Sequence, residues 1–351
     1  MLQELELGEG DIDLLAGGPP CQPFSKSGQW VHGKTSKMTD PRAKTLHAYF
    51  DILEATLPKV MLLENVKGLV AKLHAGSVEE HALDVLSSTL AAINTRHGTA
   101  YVPSVIHLDA AEYGVPQKRE RVFVIATRDG RSFVRPDPTH GPRAASARRL
   151  TTAWDALGDL DCEEWDQSLA PTGTWADLLA SIPEGRNYLH HTPKGDGEPL
   201  FGWRRKYWSF LLKLAKDRPS WTIQAQPGPA TGPFHWRSRR LSVREMARLQ
   251  SFPDHYDFEA GYQSARRQIG NAVPVAIGEL LGLQIRRQAL DDDPGRKLPG
   301  LPEHRKDCPP AEKPAPVPKR YLELRGEHQD HPGTGLGPRA RLQATAAETV
   351  A

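Results

Sequence analysis

Hydrophobic and polar positions follow two rhythms along the first third of the chain. Asp13 to Ala16 reads as a brief strand running into a Gly-Pro loop. Leu46, Tyr49, Phe50, Leu53 and Leu57 recur at helical spacing, and Pro58 ends that helix. The apolar run Val60 to Leu63 then reads as a buried strand, which puts Glu64 at a strand's C-terminal end. Val78, Ala82, Val85, Leu86, Leu90 and Ile93 predict a second helix, and Val102 to Leu108 and Val122 to Thr127 two further strands. Short apolar runs alternating with amphipathic stretches predict an α/β layer fold.

The rhythm fades between residues 131 and 236, where prolines and glycines are frequent. Seven of the eight tryptophans stand there, at 154, 165, 175, 203, 208, 221 and 236, which predicts a segment that packs as a small separate domain. Patterning returns at Ser242-Val243-Arg244-Glu245, a capping box that starts a helix running to about Gln250. A last amphipathic helix follows Asn271 and carries Val275, Ile277, Leu280, Leu281 and Ile285. From Asp291 the chain is rich in Pro, Gly, Arg and charge without periodicity and reads as a disordered or loosely packed tail. The expected organisation is a first domain over 1–130, a second over 131–236, a return to the first over 237–290, and the tail over 291–351.

Composition bounds what this fold can do. A chain of 351 residues with 38% hydrophobic content can form one large domain or two ordinary ones around a real core. A formal net charge of +2 permits a nucleic-acid partner without demanding one, so any basic surface must come from local clustering. Cys21, Cys162 and Cys308 lie far apart, in no Cys-x-x-Cys spacing and without a signal peptide. That argues against a disulfide framework or a zinc site and for a reducing compartment. No apolar run approaches the ~20 residues that span a bilayer, so the expectation is a cytoplasmic protein with no membrane partner.

Candidate chemistry clusters in five stretches. In Gly17-Gly18-Pro19-Pro20-Cys21-Gln22-Pro23-Phe24-Ser25 the glycines allow backbone to approach a ligand closely and the prolines fix the loop presenting the Cys21 thiol, a soft nucleophile when ionised. Glu64-Asn65-Val66 places a carboxyl at a strand end, where burial can raise its pKa. Gln117-Lys118-Arg119-Glu120-Arg121 leads into a strand whose alternation puts Arg119 and Arg121 on one face. The last two stretches are Arg244 to Pro253 and Gln268-Ile269-Gly270-Asn271-Ala272-Val273-Pro274, where Asn271 can cap the following helix. Taken singly, each has an ordinary alternative: a proline turn, a helix cap, a solvated charge cluster.

In this order, and over roughly residues 11 to 290, the five stretches resemble the motifs of the C5-cytosine-specific DNA methyltransferases, bacterial type. The resemblance implies a partial S-adenosylmethionine-dependent methyltransferase sheet, Rossmann-like, with a smaller irregular target-recognition domain at 131–236. It implies methyl transfer from S-adenosylmethionine to C5 of a flipped cytosine. Cys21 would add to C6, Glu64 would hold N3 and assist its protonation, Arg121 would contact the flipped base and Arg119 would support the site. Gly18, Pro20, Leu46, Asn271 and Val273 would serve the cofactor. Ser25, Gln117, Arg204, Arg205, Lys206 and Arg240 would serve DNA, the last four from a region mixing cations with aromatics. Double-stranded DNA is the implied partner, and a cognate restriction endonuclease is compatible with the same resemblance.

One part of the family pattern is not found. No Phe-x-Gly-x-Gly turn or acidic strand end precedes Cys21, and Gly8-Glu9-Gly10 has neither strand nor helix beside it. The expectation is that the chain as written binds S-adenosylmethionine weakly or not at all, and that either an upstream start codon or a complementing N-terminal polypeptide supplies the missing motifs. An inert DNA-binding remnant is the competing reading. A tRNA cytosine-5 methyltransferase is a third, disfavoured because the Cys-Phe-Thr motif of those relatives is not found.

Overall fold

A computed structural model describes residues 7–19, 44–65, 82–146, 148–202, 207–258, 261–295 and 301–326. In chain order the regular elements are β1 (Leu14–Gly17), α1 (Lys44–Thr56), β2 (Val60–Asn65), α2 (Ala82–His97), β3 (Ser104–Asp109), β4 (Glu120–Thr127), α3 (Ala153–Leu157), α4 (Val243–Leu249), α5 (Tyr262–Asn271), α6 (Val275–Ala289) and α7 (Lys319–Leu322). Each strand and long helix expected from periodicity is present, with ends displaced by a residue or two. The start proposed for the second helix at Val78 lies outside the described residues.

The chain divides into two compact units. The first takes its described residues from 1–109, 119–138 and 278–298. Its sheet has the order β1-β2-β4-β3, with β1 and β2 parallel and the other pairings antiparallel. Met61 and Leu63 of β2 lie opposite Ala126 and Val124 of β4, and this face carries the core. Leu46, Tyr49, Phe50 and Leu53 of α1 and Leu86, Leu90 and Ile93 of α2 cover it. The 3.6-residue apolar period of each helix thus meets the two-residue period of the sheet. The result is a mixed α/β unit, the partial Rossmann-like sheet expected.

The second unit comprises the described residues of 110–118, 139–277 and 299–351. Regular structure is sparse and the core is aromatic. Trp154 and Trp236 sit 5.9 Å apart between centroids among Leu214, Ile223, Met246, Leu249 and Ile269. A second cluster gathers Leu178, Leu179, Ile182, Tyr188, Leu211, Phe234 and Tyr321.

Two expected boundaries move. Residues 237–277 cluster with the second unit rather than returning to the first at 237, because α4 and α5 supply Met246, Ala247, Leu249 and Ile269 to the Trp154–Trp236 core. Residues 301–326, expected as part of a loose tail, run along the second unit as a strap. The Arg305 and Glu312 amides donate to Asp155 at 2.7 Å and Glu184 at 3.0 Å, and the Ala315 amide donates to the Ala180 carbonyl at 2.9 Å. Tyr321 ends the strap 3% exposed, stacked on Trp175 at 5.5 Å. Among the described residues no helix is long and apolar enough to cross a membrane.

Candidate active site

Three sequence stretches meet where β1 and β2 end in the first unit. In the β2–β4 register Glu64 lies opposite Phe123, so Arg121, two residues back on β4, is its diagonal neighbour on the same face. Arg121 Nε reaches Glu64 Oε1 at 2.9 Å, with the side chains only 15% and 19% exposed. At the end of β1, a Cβ built on Gly18 would stand 3.1 Å from Glu64 Oε2, so the backbone three residues ahead of Cys21 passes directly over the carboxyl. Arg119 is buried just before β4, its amide donating to Asp109 Oδ1 at 3.1 Å.

The electrostatics of this group are opposed. Burial raises the pKa of Glu64, the charges of Arg121 and Arg119 pull it down, and burial prevails. Burial lowers Arg121 while Glu64 holds it up. Arg119 is pushed down to about 9 by burial and by Arg121, against Glu64. A carboxyl whose pKa burial raises, fixed by an arginine and approached by the Gly18 backbone, can hydrogen-bond a ring nitrogen and exchange a proton with it.

Other assigned residues sit elsewhere. Leu46 packs in the core under α1. Gln117, in the second unit, is fully buried: its Nε2 donates to the Leu249 carbonyl at 3.2 Å and its Oε1 accepts from the Ile223 amide at 3.2 Å. It ties three segments together, and no part of its amide is left at the surface. Arg240 is half-exposed and lies over the Tyr262 ring, its Cζ 5.0 Å from the centroid. Asn271 is exposed at the end of α5, and Val273 is half-buried. The helix cap expected of Asn271 comes instead from Gln250 and Ser251: the Gln250 carbonyl accepts from the Val275 amide at 3.1 Å and Ser251 Oγ from the Ala276 amide at 3.0 Å. Pro20, Cys21, Ser25, Arg204, Arg205 and Lys206 lie outside the described residues.

S-adenosylmethionine needs partners for its ribose, adenine and sulfonium. Of the residues expected to serve it, Leu46 packs in the core of the first unit and Gly18 abuts Glu64, while Asn271 is exposed in the second unit.

Tyr49, one of the apolar helical positions in the core, does more than pack. Its hydroxyl bridges the carbonyls of Leu15 at 3.2 Å and Leu62 at 3.1 Å, linking β1 to β2. A Cβ on Gly17 would lie 2.7 Å from its ring, so glycine is required there. A tyrosine on an apolar helix face four residues before Leu53 gives no sign of this in sequence.

The family model described as C-5 cytosine-specific DNA methylase matches residues 2–287. The chain is 39% identical over 323 residues to the type II methyltransferase M.SacI of Streptomyces achromogenes, covering 87% of this chain and 79% of that protein. It is 32% identical over 269 residues to the type II methyltransferase M.NgoFVII of Neisseria gonorrhoeae, covering 75% and 67%. Against three further type II methyltransferases it spans 61% to 64% of their length. Among solved structures it is similar to the Entamoeba histolytica methyltransferase EhMeth, with TM-score 0.49, 16% identity and coverage of 78% and 77%. The chain belongs to the C-5 cytosine-specific DNA methylase family.

Proposed function

We propose that this protein transfers a methyl group from S-adenosylmethionine to C5 of a cytosine flipped out of duplex DNA, through a covalent adduct with Cys21. The Glu64–Arg121 pair beneath Gly18 is the observation that carries this reading. The Cys21 thiolate forms a bond to C6, the ring electrons move through C4 onto N3, and N3 takes the Glu64 proton, leaving an enamine with electron density at C5. Once C5 has been methylated, loss of its proton to solvent water restores the C5–C6 double bond, the thiolate leaves, and N3 returns its proton to Glu64. Arg121 fixes the carboxyl and Arg119 supports that pair from the buried side.

The second unit serves as the target-recognition domain, with Arg204, Arg205, Lys206 and Arg240 facing DNA and Ser25 doing so from the catalytic loop. Relatives named as type II methyltransferases support a role beside a cognate restriction endonuclease. Among the described residues β1 pairs on one side only. That edge is where a complementing polypeptide would extend the sheet.

Labelled S-adenosylmethionine and mixed-sequence duplex DNA test the proposal. The full chain transfers label, Cys21→Ser transfers none, and Glu64→Gln is slower by about 10²- to 10⁴-fold. Label retained by Cys21→Ser, or none transferred by the wild type at saturating S-adenosylmethionine, overturns it.

A further inference from the structure

One cluster of the second unit is built from cations that meet no anion among the described residues. Arg240 precedes α4 and Arg266 lies within α5, and their Cζ atoms stand 5.0 and 6.0 Å from the centroid of the Tyr262 ring. Both arginines line one cleft with Ile223, Gln224 and Phe234. The Nε–H of each is buried and meets no acceptor among the described residues. Arg240 gives a terminal N–H to the Ser168 carbonyl, a neutral partner. The Tyr262 hydroxyl donates to the Leu241 carbonyl at 2.9 Å, which fixes the ring. Glu245 is committed elsewhere, gripped by both terminal nitrogens of Arg239 at 2.8 and 2.7 Å.

Two guanidiniums facing one cleft repel each other, and burying their donors without acceptors adds a further cost. Burial lowers the pKa of Arg266, and Arg240 lowers it again. Most arginines of this unit with comparable burial have a carboxylate: Arg237 has Asp161 at 2.6 Å and Arg248 has Asp159 at 2.7 Å. A planar fork held on an aromatic face suits a tetrahedral oxyanion, which it can meet with two parallel hydrogen bonds. The cleft encloses only ≈ 10 Å³, about one water, so it admits a single oxygen of a group arriving from outside and no base or nucleotide.

We propose that Arg240 and Arg266, oriented on Tyr262, clamp one backbone phosphate of the substrate DNA. The inference rests on the DNA methyltransferase reading and adds to it a contact that sets register without reading sequence.

Salt dependence of binding to short duplexes of unrelated sequence tests this in the full chain. Each phosphate contact contributes about 0.9 to the slope of log affinity against log salt. The double variant Arg240→Gln/Arg266→Gln lowers the slope by about 0.9 and weakens all duplexes alike, whereas Arg266→Lys keeps the slope. Arg266→Gln melts no lower than wild type, because it relieves a repulsion. An unchanged slope in the double variant, a fall near 1.8 from two separate contacts, or a loss confined to one duplex sequence overturns the clamp and leaves the methyltransferase reading standing. Failure of the wild type to bind any duplex overturns both.

Discussion

Glu64 sits where burial and two arginine charges act in opposite directions, and burial prevails. Its proton is therefore held more tightly in the folded protein than in the unfolded chain. For a group with a raised folded pKa, the stability contribution is complete below the unfolded value, near 4.3, and is lost as pH rises through the folded value. Glu64→Gln mimics the protonated carboxyl and does not titrate. Thermal unfolding of both proteins from pH 4 to 8 should show the wild type falling relative to the variant as pH rises, and a relative rise would contradict the assignment. The motif order in the sequence nominates Glu64, Arg119 and Arg121 as candidates. Their mutual geometry was legible only in part: alternation placed the arginines on one face, while the diagonal approach of Arg121 to Glu64 depends on the β2–β4 register. Gln117 shows the limit. A polar residue in a motif looks the same in sequence whether it meets DNA or closes a buried network.

At the scale of elements, the α4 cap was readable and its surroundings were not. Ser242 Oγ accepts from the Glu245 amide at 3.1 Å and Glu245 Oε2 from the Ser242 amide at 2.8 Å, as the four-residue spacing predicts. Nothing local signals that Arg239 also grips Glu245, or that Gln250 donates to the Ile269 carbonyl at 2.6 Å. The start of α6 depends on such distant partners. Ser251 caps it from a left-handed conformation, φ 57°. Ser251→Ala should cost about 1 kcal/mol in urea unfolding. Ser251→Gly should lose less, because glycine relieves about 1 kcal/mol of backbone strain. Equal losses would show that the conformation carries no strain. Gly270 belongs to the same junction: a Cβ there would stand 2.5 Å from the Ala225 backbone, so Gly270→Ala should cost about 1–3 kcal/mol by overpacking.

For the whole molecule, the largest departure from the sequence reading is the strap over 301–326. Its proline-rich stretch has no helical or strand period because it is held by isolated amides and side chains rather than by a regular face. A trace was present in Val317, Tyr321 and Leu324, three apolar residues at helical spacing that all pack into the second unit. Tyr321→Ala, which empties the space beside Trp175, should destabilise that unit by about 3 kcal/mol, read from urea unfolding followed by tryptophan fluorescence. An unchanged midpoint would mean that the strap adds nothing to stability. The two halves of the catalytic proposal, addition at C6 and protonation at N3, can be measured without methyl transfer, because the enamine exchanges its C5 hydrogen with water. Duplex DNA carrying tritium at cytosine C5 should release label to solvent when incubated with the full chain alone. That release should vanish in Cys21→Ser and slow about 10²- to 10⁴-fold in Glu64→Gln. No release by the wild type, or release that survives Cys21→Ser, would contradict covalent catalysis by this chain.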